Sequence, residues 1–176
     1  MKCLIFCEGE NDRKFIQRAL KDPLHSVYDR VEDLCTSSIP DKKIKDMIFS
    51  MKKINFDYIY LKDKDEGCLV EKRNERIAAL EQSVENHGVV IVCYELESWL
   101  YAGLGKSGCE KLNLEYLSTT DNLTKEEFFE RGRKAGIQNE YSFRNKTLNE
   151  FKIKYAKKCN ASFARFAKKY FPNYLD

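Results

Sequence analysis

The chain is poor in the residues that build the commonest metal and redox sites. It has two histidines, His25 and His87, in 176 residues, and none of its seven cysteines stands in a Cys-x-x-Cys pair. Structural zinc, which needs several such ligands at close spacing, is not expected. An odd number of cysteines does not make a disulfide framework either. Cys3, Cys7 and Cys93 lie inside apolar runs, where a free thiol acts as a small hydrophobe. A reducing compartment, the cytoplasm, is the expected location. No stretch approaches the roughly 20 apolar residues that a membrane-spanning helix needs. The opening residues 1–7 are basic and then apolar, as a signal peptide is. Glu8, Glu10, Asp12, Arg13 and Lys14 follow at once, so the apolar run is too short for one. The chain contains no internal repeat and no low-complexity tract.

What is present suffices for a packed domain. Hydrophobic residues make up 43% and aromatics 12%, too many for a disordered chain. Cys3 to Cys7 is a short continuous apolar run, the pattern of a strand buried on both faces. Residues 12–21 set Phe15, Ile16, Ala19 and Leu20 at helical spacing, with Pro23 as the stop. A second strand is expected near 26–31 or 34–37. Asp41 reads as an N-cap before a stripe of Ile44, Met47, Ile48, Met51 and Ile54. Phe56 to Leu61 and Val89 to Cys93 read as strands, separated by a helix over 69–86 that His87-Gly88 ends. A helix begins at Glu95. Strand and helix alternate, so we expect an α/β fold: a doubly wound, parallel sheet with helices on both faces. Beyond it the pattern is helical, with a short helix at 109–117, a capping box opening 124–134, and one or two helices over 148–170 with a break at 160–162. Residues 1–103 are the expected core and 104–176 a helical extension packed on it.

The acids fall in one pattern. Glu8 follows the first strand, Asp63 and Asp65 follow the Phe56–Leu61 strand, and Glu95 and Glu97 follow the Val89–Cys93 strand. Open parallel sheets bind ligands just beyond the carboxyl ends of their strands. Carboxylates gathered there repel one another unless a cation neutralises them. Mg²⁺ takes hard oxygen ligands and keeps waters that a substrate phosphate can replace. Charge is segregated too. The net charge is +3, yet residues 141–176 carry nine Lys/Arg against two acids, a local +7 that leaves −4 on the first 140. An acidic body with a basic segment suits a polyanion bound near a metal centre.

Two of these segments resemble the motifs of TOPRIM domains, shared by topoisomerases, primases and related nucleases. Residues 4–12, LIFCEGEND, are similar to the first motif, an apolar strand followed by Glu8, Gly9 and Asp12. Residues 58–67, YIYLKDKDEG, are similar to the second, an apolar strand ending in Asp63-x-Asp65. Residues 91–102, IVCYELESWLYA, resemble the Glu-x-Glu-x-Trp segment of small stand-alone TOPRIM-like proteins related to the nuclease half of the overcoming-lysogenisation-defect family. The resemblance spans roughly the first hundred residues. It implies a TOPRIM/Rossmann-like core, with Glu8, Asp63 and Asp65 catalytic and Glu8, Asp63, Asp65, Glu95 and Glu97 as ligands of Mg²⁺ or Mn²⁺. Only Glu66 separates Asp65 from Gly67, where topoisomerase-type sequences often have two residues. No tyrosine stands out as a strand-cleaving nucleophile, and the accessory domains of topoisomerases find no room here. The implied reaction is therefore Mg²⁺-dependent phosphodiester hydrolysis, or phosphoryl transfer, on nucleic acid, with hydrolysis the better fit.

Other patterns carry less. Gly103 to Gly108 echoes a phosphate-binding loop, but that motif needs a glycine at position 100, which is Leu, and a flexible turn is expected instead. Phe151, Tyr155, Phe163, Phe166 and Tyr170 run at near-helical spacing and suit core packing better than base stacking. Lys154, Lys158, Arg165 and Lys169 fall on roughly the other face and suit a phosphate backbone. Trp99 reads as a buried anchor. The competing function is a non-catalytic module that binds nucleic acid or a protein partner, such as an ATPase or a defence-system protein. A receiver-like phosphoacceptor would place an acidic pair after the first strand, where this chain has Glu8-Gly9.

Overall fold

A computed structural model describes residues 1–63, 68–80, 88–92 and 95–174. Four strands form one parallel sheet in the order β2-β1-β3-β4: β1 (Lys2–Cys7), β2 (Arg30–Cys35), β3 (Phe56–Asp63) and β4 (Val89–Val92). The α/β class and the parallel sheet expected from the sequence are what the structure has. β1 is central because its run of apolar residues tolerates helices on both faces. On one face Phe6, Tyr58 and Tyr60 pack with Ile44, Ile48, Met51 and Leu80. The pleat sends Cys3, Ile5 and Cys7 to the other face, and all three are fully buried.

After β1 the chain runs through α1 (Glu10–Phe15), a π-helical turn (Ile16–Leu20) and α2 (Lys21–His25). Pro23 does not end this run, contrary to the sequence expectation. Leu20 departs from regular helix geometry at φ −109°, so the helix restarts at Lys21. Pro23 then sits in a first turn, where its missing N–H removes no hydrogen bond. α3 (Asp41–Lys53) opens with Pro40, not Asp41, as its N-cap. Its buried stripe is Ile44, Ile48 and Met51, and Ile54 lies past the helix end at 70% exposure. There Asn55 takes φ +54°, a left-handed conformation that Asn tolerates better than most residues. α4 (Leu69–Ala79) covers the first part of the helix expected over 69–86, and residues 81–87 lie outside the described residues. Gly88 is required: a Cβ there would meet the Tyr58 ring at 2.2 Å.

By internal contacts the chain divides into two units, Met1–Val92 and Cys93–Asp176, so the boundary lies at 92/93 where we expected 103/104. α5 (Leu96–Ala102) is the reason. All seven of its residues are buried, and it packs with helices that follow it in sequence. Those are α7 (Lys125–Lys134), α8 (Glu140–Glu150) and α9 (Ile153–Cys159); α6 (Gly105–Lys111) and α10 (Ala161–Tyr170) complete the second unit's helices among the described residues. The Thr124 hydroxyl accepts from the Glu127 N–H at 3.3 Å and the Glu127 carboxylate accepts from the Thr124 N–H at 3.2 Å, the capping box read in the sequence. The break at 160 is real: Asn160 ends α9 and its side chain accepts from the Phe163 N–H at 2.9 Å, opening α10. Trp99 is fully buried and its indole N–H donates to Ser162 Oγ at 2.7 Å.

Candidate functional site

In the first unit the site begins where β1 ends. Glu8 and Gly9 leave the strand, and Gly9 is the extended N-cap of α1. One oxygen of Asp12 accepts from the N–H groups of both Glu8 and Gly9, each at 3.0 Å. The acid of the Glu-Gly-x-x-Asp pattern thus pins the backbone beneath Glu8 and leaves the Glu8 side chain to project from a fixed base.

β3 is the neighbour of β1, and its last residue is Asp63. Phe6 stands opposite Tyr60 in the parallel register. Two residues further along each strand, on the same face, come Glu8 and Lys62. The Lys62 ammonium donates to Glu8 Oε1 in an ion pair that is about one-third exposed on each side. Asp63, next in the chain, is half-buried and turns to the other side of β3. Glu8 and Asp63 are therefore on adjacent strand ends, on opposite faces of the sheet. Asp65 lies outside the described residues. Lys62 escaped the sequence reading, because only the observed β1–β3 register, with Phe6 opposite Tyr60, places it beside Glu8.

Among the described residues, no group of three or more His, Cys, Asp or Glu side chains is arranged to hold a metal ion. The chemistry of the donors nonetheless suits a hard cation. Glu8 and Asp63 offer carboxylate oxygen, and a cationic group already rests on Glu8. The nearby thiols are poor competitors. Cys7 and Cys35, partners in the β1–β2 register, lie with sulfurs 3.8 Å apart. Burial holds the Cys7 thiol well above its usual range and raises that of Cys35, so both stay protonated.

The other two expected ligands belong to the second unit. Glu95 is the N-cap of α5, and its Oε2 accepts from the Lys125 N–H at 2.7 Å, capping α7 as well. Burial raises its pKa and the nearby Glu97 charge adds to this, while the Lys125 hydrogen bond opposes it. Glu97 is 4% exposed and ion-paired with Arg144, whose guanidinium lies 4.7 Å over the Phe129 ring. Both carboxylates have structural work within their own unit, and nothing in the sequence around residue 144 signalled it.

Lys154, Lys158, Arg165 and Lys169 are exposed on α9 and α10. The Lys169 ammonium lies 4.7 Å over the Tyr170 ring. Phe163, Phe166 and Tyr170 are buried, so they serve as core. The glycine-rich segment is no phosphate loop and no loose turn. The Gly103 carbonyl accepts from the Lys152 N–H at 2.8 Å, and a Cβ at Gly103 would meet the Phe151 ring at 2.0 Å.

No protein-family model matches the chain, and no curated protein matches it. Among solved structures, the C-terminal region of the Burkholderia pseudomallei OLD protein aligns with a TM-score of 0.55 at 19% sequence identity, over 98% of this chain and 97% of that one. The chain therefore has the fold of that region, an α/β fold with the TOPRIM-like core implied by residues 4–12 and 58–67.

Proposed function

We propose that this chain is a nuclease-type module that hydrolyses phosphodiesters of nucleic acid with the help of Mg²⁺ or Mn²⁺. The observation that carries this reading is the placement of Glu8 and Asp63 on adjacent strand ends of a parallel sheet with a TOPRIM-like fold. Glu8, Asp63 and Asp65 would hold the ion, and Glu95 and Glu97 are further candidates. The ion, when bound, would make water more acidic and neutralise charge on the phosphate. Glu8 is the residue to take the proton of the attacking water: its backbone is fixed by Asp12 and its carboxylate is open enough to exchange with solvent. Lys154, Lys158, Arg165 and Lys169 would bind the sugar–phosphate backbone through charge alone.

The test is a titration of Mg²⁺ and Mn²⁺ into wild type and Asp63→Ala. Thermal stability and cleavage of labelled single- and double-stranded DNA and RNA are followed together. Metal-dependent stabilisation and cleavage are expected in wild type and absent in the variant. Cleavage that survives in Asp63→Ala would remove Asp63 from the site.

A second reading is a non-catalytic module that holds nucleic acid or a partner protein, such as an ATPase or a defence-system protein. The engagement of Glu95 by the Lys125 amide and of Glu97 by Arg144 favours it, since both carboxylates already serve the structure of their own unit. Salt-sensitive binding without turnover in any metal would support this reading.

A further inference from the structure

We propose that Lys62 is a working residue of this site: the counter-cation that holds Glu8 in the metal-free protein and yields it to an arriving divalent cation. The inference rests on the metal reading above and adds a residue to which neither motif gives a role.

The geometry starts from the pleat. Because Phe6 faces Tyr60 across β1 and β3, Lys62 comes to the same face and level as Glu8, and its ammonium is seated on Glu8 Oε1. An ammonium and a divalent cation cannot share that oxygen without like-charge repulsion, so metal binding competes with the pair. The exchange is mechanically easy. Lys62 carries its charge on a flexible four-carbon stem and can withdraw without moving the strand. The backbone under Glu8 is held by Asp12, so only side chains need to move. The pair is about one-third exposed on each side, which leaves an ion from solvent a path to it. Lys62 acts here as a positioning residue: it sets the orientation of Glu8 before metal arrives and the affinity with which metal is taken.

The experiment has two arms. Calorimetric titration of Mn²⁺ into wild type, Lys62→Met, Lys62→Arg and Asp63→Ala measures the competition directly. Lys62→Met should bind Mn²⁺ about two- to fivefold more tightly, the range that loss of a partly exposed ion pair supports. Lys62→Arg keeps the charge and should stay within about twofold of wild type. In the second arm, wild-type protein is acetylated with a water-soluble active ester and Lys62 labelling is read by mass spectrometry. Saturating Mn²⁺ should raise that labelling at least about twofold, because the amine is released. Support requires both results, and the labelling arm decides alone if Lys62→Met does not fold. Unchanged or weaker Mn²⁺ binding by Lys62→Met, with wild type binding and Asp63→Ala not, would overturn this inference and leave the metal reading standing. Mn²⁺-independent labelling of Lys62 would do the same. Wild type that binds no Mn²⁺ would bring down the metal reading, and this inference with it.

Discussion

Tyr101 shows how a single buried group sets a pH limit. Its hydroxyl donates to the Glu115 carbonyl at 2.6 Å, and burial pushes its pKa up to about 12, with Arg131 opposing. The unfolded chain loses this proton near pH 10. Its contribution to stability is therefore complete below about pH 10 and is lost as the pH rises through about 12. Unfolding in denaturant at stepped pH should show stability falling by up to about 1.4 kcal/mol per pH unit in that window. Tyr101→Phe should give a flatter profile; an unchanged slope would assign the loss to other groups. Glu97 gives a contrasting lesson at the same scale. In the sequence it stands two residues from Glu95 and looks like a ligand. In the fold it is 4% exposed and paired with Arg144, 47 positions away, a contact that local spacing could not announce.

At the scale of elements, glycines separate what the fold needs from what the site keeps open. Gly103 ends α5 against the Phe151 ring, where a Cβ would come within 2.0 Å. Gly9 opens α1 at φ −145°, and a Cβ there would meet nothing within 4 Å. Gly103→Ala should cost about 1–3 kcal/mol in chemical denaturation, from overpacking. Gly9→Ala should fall within about 0.5 kcal/mol of wild type. A loss of cleavage in folded Gly9→Ala would then mean that the space beside Glu8 serves substrate and not packing. Periodicity made β1, β3, β4 and the stripe on α3 legible, because a buried strand or helix face leaves its period in the apolar residues. α8 was not foreseen. Its sequence, EYSFRNKTLNE, buries only Phe143 and Thr147, so its apolar signal is faint. β2 was placed only approximately, since the acids and arginine of RVEDLC blur an edge strand's alternation.

For the whole molecule, charge would decide how it meets the nucleic acid of the proposed function. The second unit presents Lys154, Lys158, Arg165 and Lys169 on exposed positions of α9 and α10. Each phosphate contact releases a condensed counterion, so binding should weaken steeply with salt. If Lys154 and Lys158 each contact a phosphate, replacing both by Ala should reduce the slope of log affinity against log salt by about 1.4–1.8. Fluorescence anisotropy with a labelled oligonucleotide in the absence of metal measures this. An unchanged slope would place the nucleic-acid contacts elsewhere. Among the described residues, no helix is long and apolar enough to cross a membrane.

The sequence by itself determined the class of fold, a first strand buried on both faces, the acids at the ends of β1 and β3, the capping box at Thr124 and the helix break at 160–162. These are local patterns, written in residues a few positions apart, and short-range sterics and burial read them directly. Tertiary structure alone decided that Lys62 faces Glu8, that Asp12 holds the backbone beneath it, and that Arg144 claims Glu97. It also decided that α5 packs with α7, α8 and α9. Each of these depends on which distant segments pack together and in what register, and a one-residue shift of register would turn Lys62 away from Glu8.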